Sequence, residues 1–237
     1  MLMLPGLSVK PVSLFETAVS QAYKPFHEDF TIWCFDPMDE ITNDCCIEKM
    51  AEDLKEALNI IGITQADIFG CSLGGMIAQE IAIRYPAFPR KMILSSTISR
   101  FPQKGNECVD EWLYYAERGD AERLNRVILE RIYSANVFQT FGDHFFSKDS
   151  WGTPEELRLL AIRTRAIKKL NAYDRLDQVL CPTFVLGSWD DKVFSHQSLI
   201  ETAEKLNCPL YMYAGFGHAI YDEAPDFKER MLAFLRG

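Results

Sequence analysis

The pentapeptide from Gly70 to Gly74 has the form Gly-x-Ser-x-Gly, with Ser72 at its centre. A short apolar run, Ile68 and Phe69, precedes it, and a helical pattern begins directly after it. A serine at such a sharp strand-to-helix turn has a strained backbone and an exposed hydroxyl, and the small flanking residues let strand and helix approach closely. The N-terminus of the following helix offers N–H groups to a developing negative charge. The pattern predicts that Ser72 is a nucleophile.

A serine hydroxyl is a weak nucleophile at neutral pH and needs a general base. His218 is the candidate, because it follows an apolar run, Leu210–Tyr213, within the sequence Gly-Phe-Gly-His, and comes after Ser72 in the chain. The glycines allow a short loop to direct the imidazole back over the sheet edge. The other histidines lack such a setting and are interpreted as surface or packing residues: His27, His144 and His196.

The third member of such a site is a carboxylate that follows a strand and orients the histidine. The apolar run Thr183–Gly187 is followed by two aspartates, Asp190 and Asp191. We favour Asp191, because Lys192–Phe194 after it resembles the run that usually follows such an acid. Asp190 stays the alternative, since loop offsets from the glycine vary.

Two backbone N–H groups are needed to hold the oxyanion that forms when the nucleophile attacks a carbonyl. One comes from the residue after the nucleophile, here Leu73, and the other from the loop after an earlier strand. Leu7 is the candidate for the second, because Pro5 and Gly6 follow the first apolar run. The alternative is an ordinary Pro-Gly turn with no such role.

Six short, mostly apolar runs alternate with helical patterns, which predicts an α/β fold with a mainly parallel sheet. The predicted strands are Met1–Leu4, Phe30–Phe35, Asp67–Gly70, Lys91–Ser95, Thr183–Leu186 and Leu210–Tyr213. Helices are predicted from a capping box at Ser13–Glu16 to Tyr23, over Ile47–Ile61 with Gly62 as its stop, and over Leu73–Tyr85, His196–Leu206 and Pro225–Leu235.

Residues 99–172 have helical periodicity and almost no strand signal. We therefore predict a core formed by residues 1–98 and 173–237, with 99–172 inserted over it as a helical cap. The insertion is rich in aromatic residues, which either line an apolar pocket or hold the cap on the core. They are Trp112, Tyr114, Tyr115, Tyr133, Phe138, Phe141, Phe145, Phe146 and Trp151.

Composition excludes several classes of protein. The 237 residues carry a net charge of −9, so a nucleic-acid partner is not expected. The seven cysteines are odd in number and form no Cys-x-x-Cys pattern, which argues against a disulfide framework and a metal site and favours a cytoplasmic protein. Cys71 is interpreted as an inert buried residue. The apolar start, Met1–Leu4, is too short for a signal peptide, and no apolar run is long enough to span a membrane.

These motifs together resemble the α/β-hydrolase superfamily over nearly the whole chain. The resemblance rests on the turn at Ser72, the strand and Asp191, the Gly-x-Gly-His loop at His218, and an insertion where that family carries its cap. It implies a three-layer fold. Family members usually begin with two more strands, so this sheet has about six strands without the usual first two, or the start of the chain is incomplete. The family's usual His-Gly before the oxyanion donor is Pro5-Gly6 here.

The sequence thus predicts a carboxylesterase-like serine hydrolase that needs no cofactor or metal and acts on a small, apolar substrate. One alternative keeps the Ser-His-Asp triad but cleaves a thioester or a C–C bond. The other is a non-catalytic protein of the same fold that binds a small ligand. A homodimer that covers an open edge strand is a further hypothesis.

Overall fold

The computed structural model describes residues 1–36, 40–145 and 151–237, and for residues 141–145 the backbone alone. Phe146, predicted as part of the aromatic cap, lies outside the described residues, as do the side chains of Phe141, His144 and Phe145.

Within the described residues, one sheet of six parallel strands runs in the order β2-β1-β3-β4-β5-β6. The predicted fold class is therefore confirmed. The strands are β1 (Leu2–Leu4), β2 (Trp33–Cys34), β3 (Ala66–Cys71), β4 (Pro89–Ser95), β5 (Thr183–Ser188) and β6 (Leu210–Tyr213). β2 is shorter than the predicted Phe30–Phe35, because it lies at the edge and pairs only with the three-residue β1.

Helices cover both faces of the sheet, as a parallel sheet requires. They are α1 (Glu16–Ala22), α2 (Ile47–Ile60), α3 (Leu73–Arg84), α8 (His196–Leu206), α9 (Ile220–Glu223) and α10 (Phe227–Arg236). Alternate strand residues point to opposite faces. Leu2 and Ile68 pack with α2, α3 and α8, whereas Met3 and Phe69 pack with Phe227 of α10. No helix in the described part of the chain combines the length and apolarity needed to cross a membrane.

The capping box predicted at Ser13–Glu16 is wrong. Val12–Phe15 forms a 3-10 helix that precedes α1, and no side-chain cap occurs at either start. The carboxylate of Asp36 instead accepts hydrogen bonds from the backbone N–H groups of Val12 and Ser13. Hydrogen bonds to Asp36, a residue distant in sequence, therefore replace the predicted capping box at this helix start.

The segment 99–172 contains four helices in its described part: α4 (Glu107–Arg118), α5 (Ala121–Ile132), α6 (Ala135–Phe145) and α7 (Pro154–Ile167). We call this segment the cap. Its two ends are hydrogen-bonded to each other, because Ala172 N–H donates to Ser99 O at 2.7 Å and Phe101 N–H to Leu170 O at 3.0 Å. At α7, Thr153 and Glu156 form a reciprocal capping box.

Candidate active site

The carboxyl ends of β1 and β3 meet where the strand order reverses, since the chain continues from β1 to one side of the sheet and from β3 to the other. In open α/β sheets this crevice is where ligands bind. Ser72 follows β3 directly, with φ of 50° and ψ of −119°. Non-glycine residues adopt this strained conformation only where the surroundings enforce it.

Hydrogen bonds and close backbone contacts hold Ser72 in this conformation. Ser72 N–H donates to Ser95 O at 2.9 Å, and Ser72 O accepts from Thr97 Oγ1 at 2.7 Å. A Cβ atom on Gly74 would lie 2.0 Å from Leu4 O, and one on Gly70 would lie 2.6 Å from Gly74 O. Both positions therefore require glycine, as the motif predicts.

His218 and Asp191 form a buried hydrogen-bonded pair. The imidazole Nδ1 donates to Asp191 Oδ2 at 2.8 Å, and His218 is 2% exposed. The other oxygen, Asp191 Oδ1, accepts from the N–H groups of Val193 at 2.7 Å and Phe194 at 3.0 Å. Three donors thus fix the carboxylate, which can stabilise an imidazolium and leaves Nε2 available as a base.

Asp190, the alternative acid, lies elsewhere. Its exposed carboxylate accepts a hydrogen bond from Gly215 N–H at 2.7 Å, and its own N–H donates to Ser188 Oγ at 3.0 Å. Asp190 therefore ties together the loops after β5 and β6, while Asp191 contacts the histidine.

The end of β4 and the loop after it connect Ser72 to His218. Ser95 O accepts from Ser72 N–H, and Ser96 Oγ donates to His218 O at 2.6 Å. Ser96 itself has φ of 47°. Among the described atoms, no hydrogen bond joins Ser72 Oγ to His218 Nε2. Such bonds are often long in unliganded active sites and shorten when substrate binds.

Leu7 and Leu73, the predicted oxyanion donors, both line a cavity of about 270 Å³. The loop that carries Leu7 lies against Ser72, because a Cβ on Gly6 would be 3.3 Å from Ser72 Cβ. We call residues 5–10 the oxyanion loop. The opposite wall belongs to the cap and includes Glu156 and Leu159 of α7.

The cap also contacts the loop that carries His218. A Cβ on Gly217 would lie 2.6 Å from Ile132 O at the end of α5, and Ala219 N–H donates to the same carbonyl at 2.8 Å. Tyr133 Oη donates to Asp222 Oδ2 at 3.2 Å.

Cys71, directly before Ser72, is buried, and burial raises the pKa of its thiol to about 12. A thiol with that pKa is protonated at neutral pH and cannot act as a nucleophile. Among the described residues, no group of three His, Cys, Asp or Glu side chains could hold a metal ion.

Sequence reasoning missed the hydroxyl side chains that hold the site together. Ser96 and Thr97 follow β4 and bind the backbone of His218 and Ser72. Ser188 ends β5 and donates to Phe216 O at 2.5 Å. Runs of small hydroxyl residues at the carboxyl ends of predicted strands are the signal that could have found them.

Comparison with known proteins gives a consistent result. A family model described as the alpha/beta hydrolase fold matches residues 15–225. A protein of Rhizobium rhizogenes named "Putative carbamate hydrolase RutD" is 27% identical over 195 residues, which cover 80% of this chain and 74% of that protein. The namesake from Agrobacterium fabrum is 24% identical over 83% of this chain and 77% of its own length.

Solved structures show the same fold. MGS-M2, an alpha/beta hydrolase enzyme from a deep-sea metagenome library, superposes with a TM-score of 0.89 at 21% identity, covering 100% of this chain and 88% of that one. The enol-lactonase from Burkholderia xenovorans LB400 superposes with a TM-score of 0.85 at 16% identity, covering 100% and 90%. Strand order, strained serine turn and family match agree: the chain belongs to the α/β-hydrolase family.

Proposed function

We propose that this hydrolase is a serine hydrolase, with Ser72 as nucleophile, His218 as general base and Asp191 as the residue that orients His218. The observation that carries the proposal is the buried bond of 2.8 Å between His218 and Asp191, beside a serine with φ of 50°. A carboxylate with three donors and an almost fully buried histidine suit proton transfer better than ligand binding by an idle site.

The proposed reaction is acyl transfer. Ser72 Oγ attacks the substrate carbonyl carbon while its proton moves to His218 Nε2, and the backbone N–H groups of Leu7 and Leu73 hold the oxyanion. Collapse of the tetrahedral intermediate breaks the bond to the leaving group, which takes the proton from Nε2. A water molecule then attacks the acyl-enzyme by the same route and releases the acid.

The cavity supports a small substrate. Its volume of about 270 Å³ lies just below the range typical of sites for drug-sized ligands. Its lining combines apolar side chains, among them Leu7, Leu73 and Leu159, with charged ones: Lys10, Asp36, Glu155, Glu156 and Arg163. We propose a carboxylic ester or related acyl compound with a short apolar group, and a thioester or a C–C bond beside a ketone as alternatives with the same triad.

The relatives named RutD add carbamates to the bonds worth testing. A carbamate carbonyl is attacked through the same tetrahedral intermediate, so the proposed residues suit it without change. Its leaving group, an alcohol or an amine, takes up a proton, which His218 would supply.

The test is hydrolysis of a series of p-nitrophenyl esters of increasing acyl length, together with an aryl carbamate and an aryl thioester. We expect the shortest acyl chains to react fastest and Ser72→Ala to abolish turnover. Cys71→Ala is the matched control at the neighbouring position and should keep activity within about twofold, since a thiol protonated at neutral pH takes no part. Undiminished activity in folded Ser72→Ala would overturn the proposal.

A serine-directed fluorophosphonate separates an enzyme without a known substrate from a ligand-binding protein. A working triad reacts with the probe at Ser72, which mass spectrometry locates. A well-folded wild-type protein that neither hydrolyses the substrates nor reacts with the probe would favour the non-catalytic alternative.

A further inference from the structure

The oxyanion loop forms no helix or strand of its own, so its conformation depends on what it contacts. On one side Gly6 lies against Ser72. On the other side the loop reaches the cap at the start of α7. The backbone N–H groups of a catalytic site must be held to within a fraction of an ångström, so the contacts of this loop bear directly on turnover.

An ion pair and an apolar contact join the oxyanion loop to the cap. Lys10 Nζ donates to both carboxylate oxygens of Glu156, at 3.1 and 2.9 Å. Its neighbour Val9 is buried against Gly152, where an added Cβ would lie 2.4 Å from Val9 Cγ1. The side chains of Lys10 and Glu156 are 19% and 22% exposed, so solvent screens this pair only in part.

Glu156 is itself held rigidly. Its Oε2 accepts from Thr153 N–H at 2.5 Å, and its own N–H donates to Thr153 Oγ1 at 3.2 Å. Pro154 at the start of α7 fixes the backbone between them. Lys10 therefore meets a partner whose position is set by the helix start.

We infer that Lys10 and Glu156 are positioning residues for the oxyanion hole, which tie the oxyanion loop to the cap and hold the N–H of Leu7 at the reacting carbonyl. The inference rests on the proposed function. It also implies that turnover requires the cap to be packed on the core, because the carboxylate that fixes the loop belongs to α7.

Positioning and simple electrostatics predict opposite results for Glu156→Gln. Removal of a negative charge near a developing oxyanion would raise kcat if charge alone mattered. If the pair positions the loop, kcat falls. Glutamine at this position still completes the capping box, so α7 keeps its start while Lys10 loses its ionic partner.

The experiment measures kcat and KM for the best ester substrate with Lys10→Met, Glu156→Gln and the double variant. We expect each single variant to lower kcat about tenfold with KM changed less than threefold, since small displacements of a catalytic group are costly. The double variant should resemble the singles, because both remove one interaction. Lys10→Arg should restore most of kcat. Binding of a boronic acid, which forms a tetrahedral adduct on Ser72, should weaken in parallel with kcat.

Glu201→Gln is the matched control. Glu201 of α8 pairs with Arg100 and so also joins the cap to the core by an ion pair, but neither residue lines the cavity, so kcat should stay within twofold of the wild-type value. Wild-type kcat in Lys10→Met and Glu156→Gln, with Ser72→Ala inactive, would overturn the inference and leave the proposed function standing. Activity in Ser72→Ala would overturn both.

Discussion

Replacement of Asp191 by asparagine tests whether this carboxylate determines which ring nitrogen of His218 carries the proton. Asp191 Oδ1 faces two N–H donors, those of Val193 and Phe194, and Oδ2 faces Nδ1–H of His218. Asparagine offers only one acceptor oxygen in the same shape. If that oxygen stays with the two backbone donors, the amide NH₂ faces Nδ1, and the imidazole must place its proton on Nε2 instead. Nε2 can then no longer take the proton of Ser72.

The opposite amide orientation keeps the histidine tautomer but directs NH₂ at two backbone N–H groups. That arrangement leaves buried donors without acceptors, which costs about 1–3 kcal/mol for each group. The first orientation therefore dominates, and we expect kcat to fall by roughly 10³–10⁴ at neutral pH, the effect that a wrong tautomer produces in other triads. The measurement is kcat for the best p-nitrophenyl ester, with circular dichroism to show that the variant is folded.

Asp190→Asn is the matched control for this substitution. Its amide oxygen can still accept from Gly215 N–H, and the side chain is exposed, so activity should stay within about threefold. The reasoning is refuted if Asp190→Asn loses activity while Asp191→Asn keeps it, or if both variants keep it.

Two further predictions concern stability and the cap. Gly74→Ala forces a Cβ to 2.0 Å from Leu4 O, so urea denaturation should show a loss of about 3 kcal/mol or more, or no folded protein. Gly217→Ala drives the loop of His218 away from Ile132 O, so kcat/KM should fall at least about tenfold in steady-state assays.

Local patterns were sufficient to predict most of the sheet and the turn at Ser72. The motif places glycine at positions 70 and 74, where the structure leaves no space for a Cβ atom. β3 is buried along its whole length, although Asp67 interrupts its apolar run and pairs with Arg90. Such features depend on neighbours in the chain. The roles of Ser72, His218 and Asp191 stay predictions, although the contact between the last two now separates Asp191 from Asp190.

Contacts between distant parts of the chain were not predictable in the same way. The bond from Lys10 to Glu156 joins residues 146 positions apart, and Asp36 takes over the helix start that the motif at Ser13 suggested. The length of β2 depends on how many residues β1 offers it, not on its own apolar run. Each of these outcomes is set by packing that a single sequence does not display.

The hydrogen bonds that join the two ends of the cap, Ala172 to Ser99 and Phe101 to Leu170, bear on how the protein tolerates changes in sequence and length. The chain enters and leaves segment 99–172 at neighbouring points, so these bonds hold the two ends of the segment together whatever its length. Lengthening a segment whose ends are held together adds little entropic cost, because each doubling of a loop's length costs only about 0.6 kcal/mol. The parts of the segment that contact neither the oxyanion loop nor the loop of His218 can therefore be exchanged or enlarged, in evolution or by design, while Ser72 and His218 keep their positions.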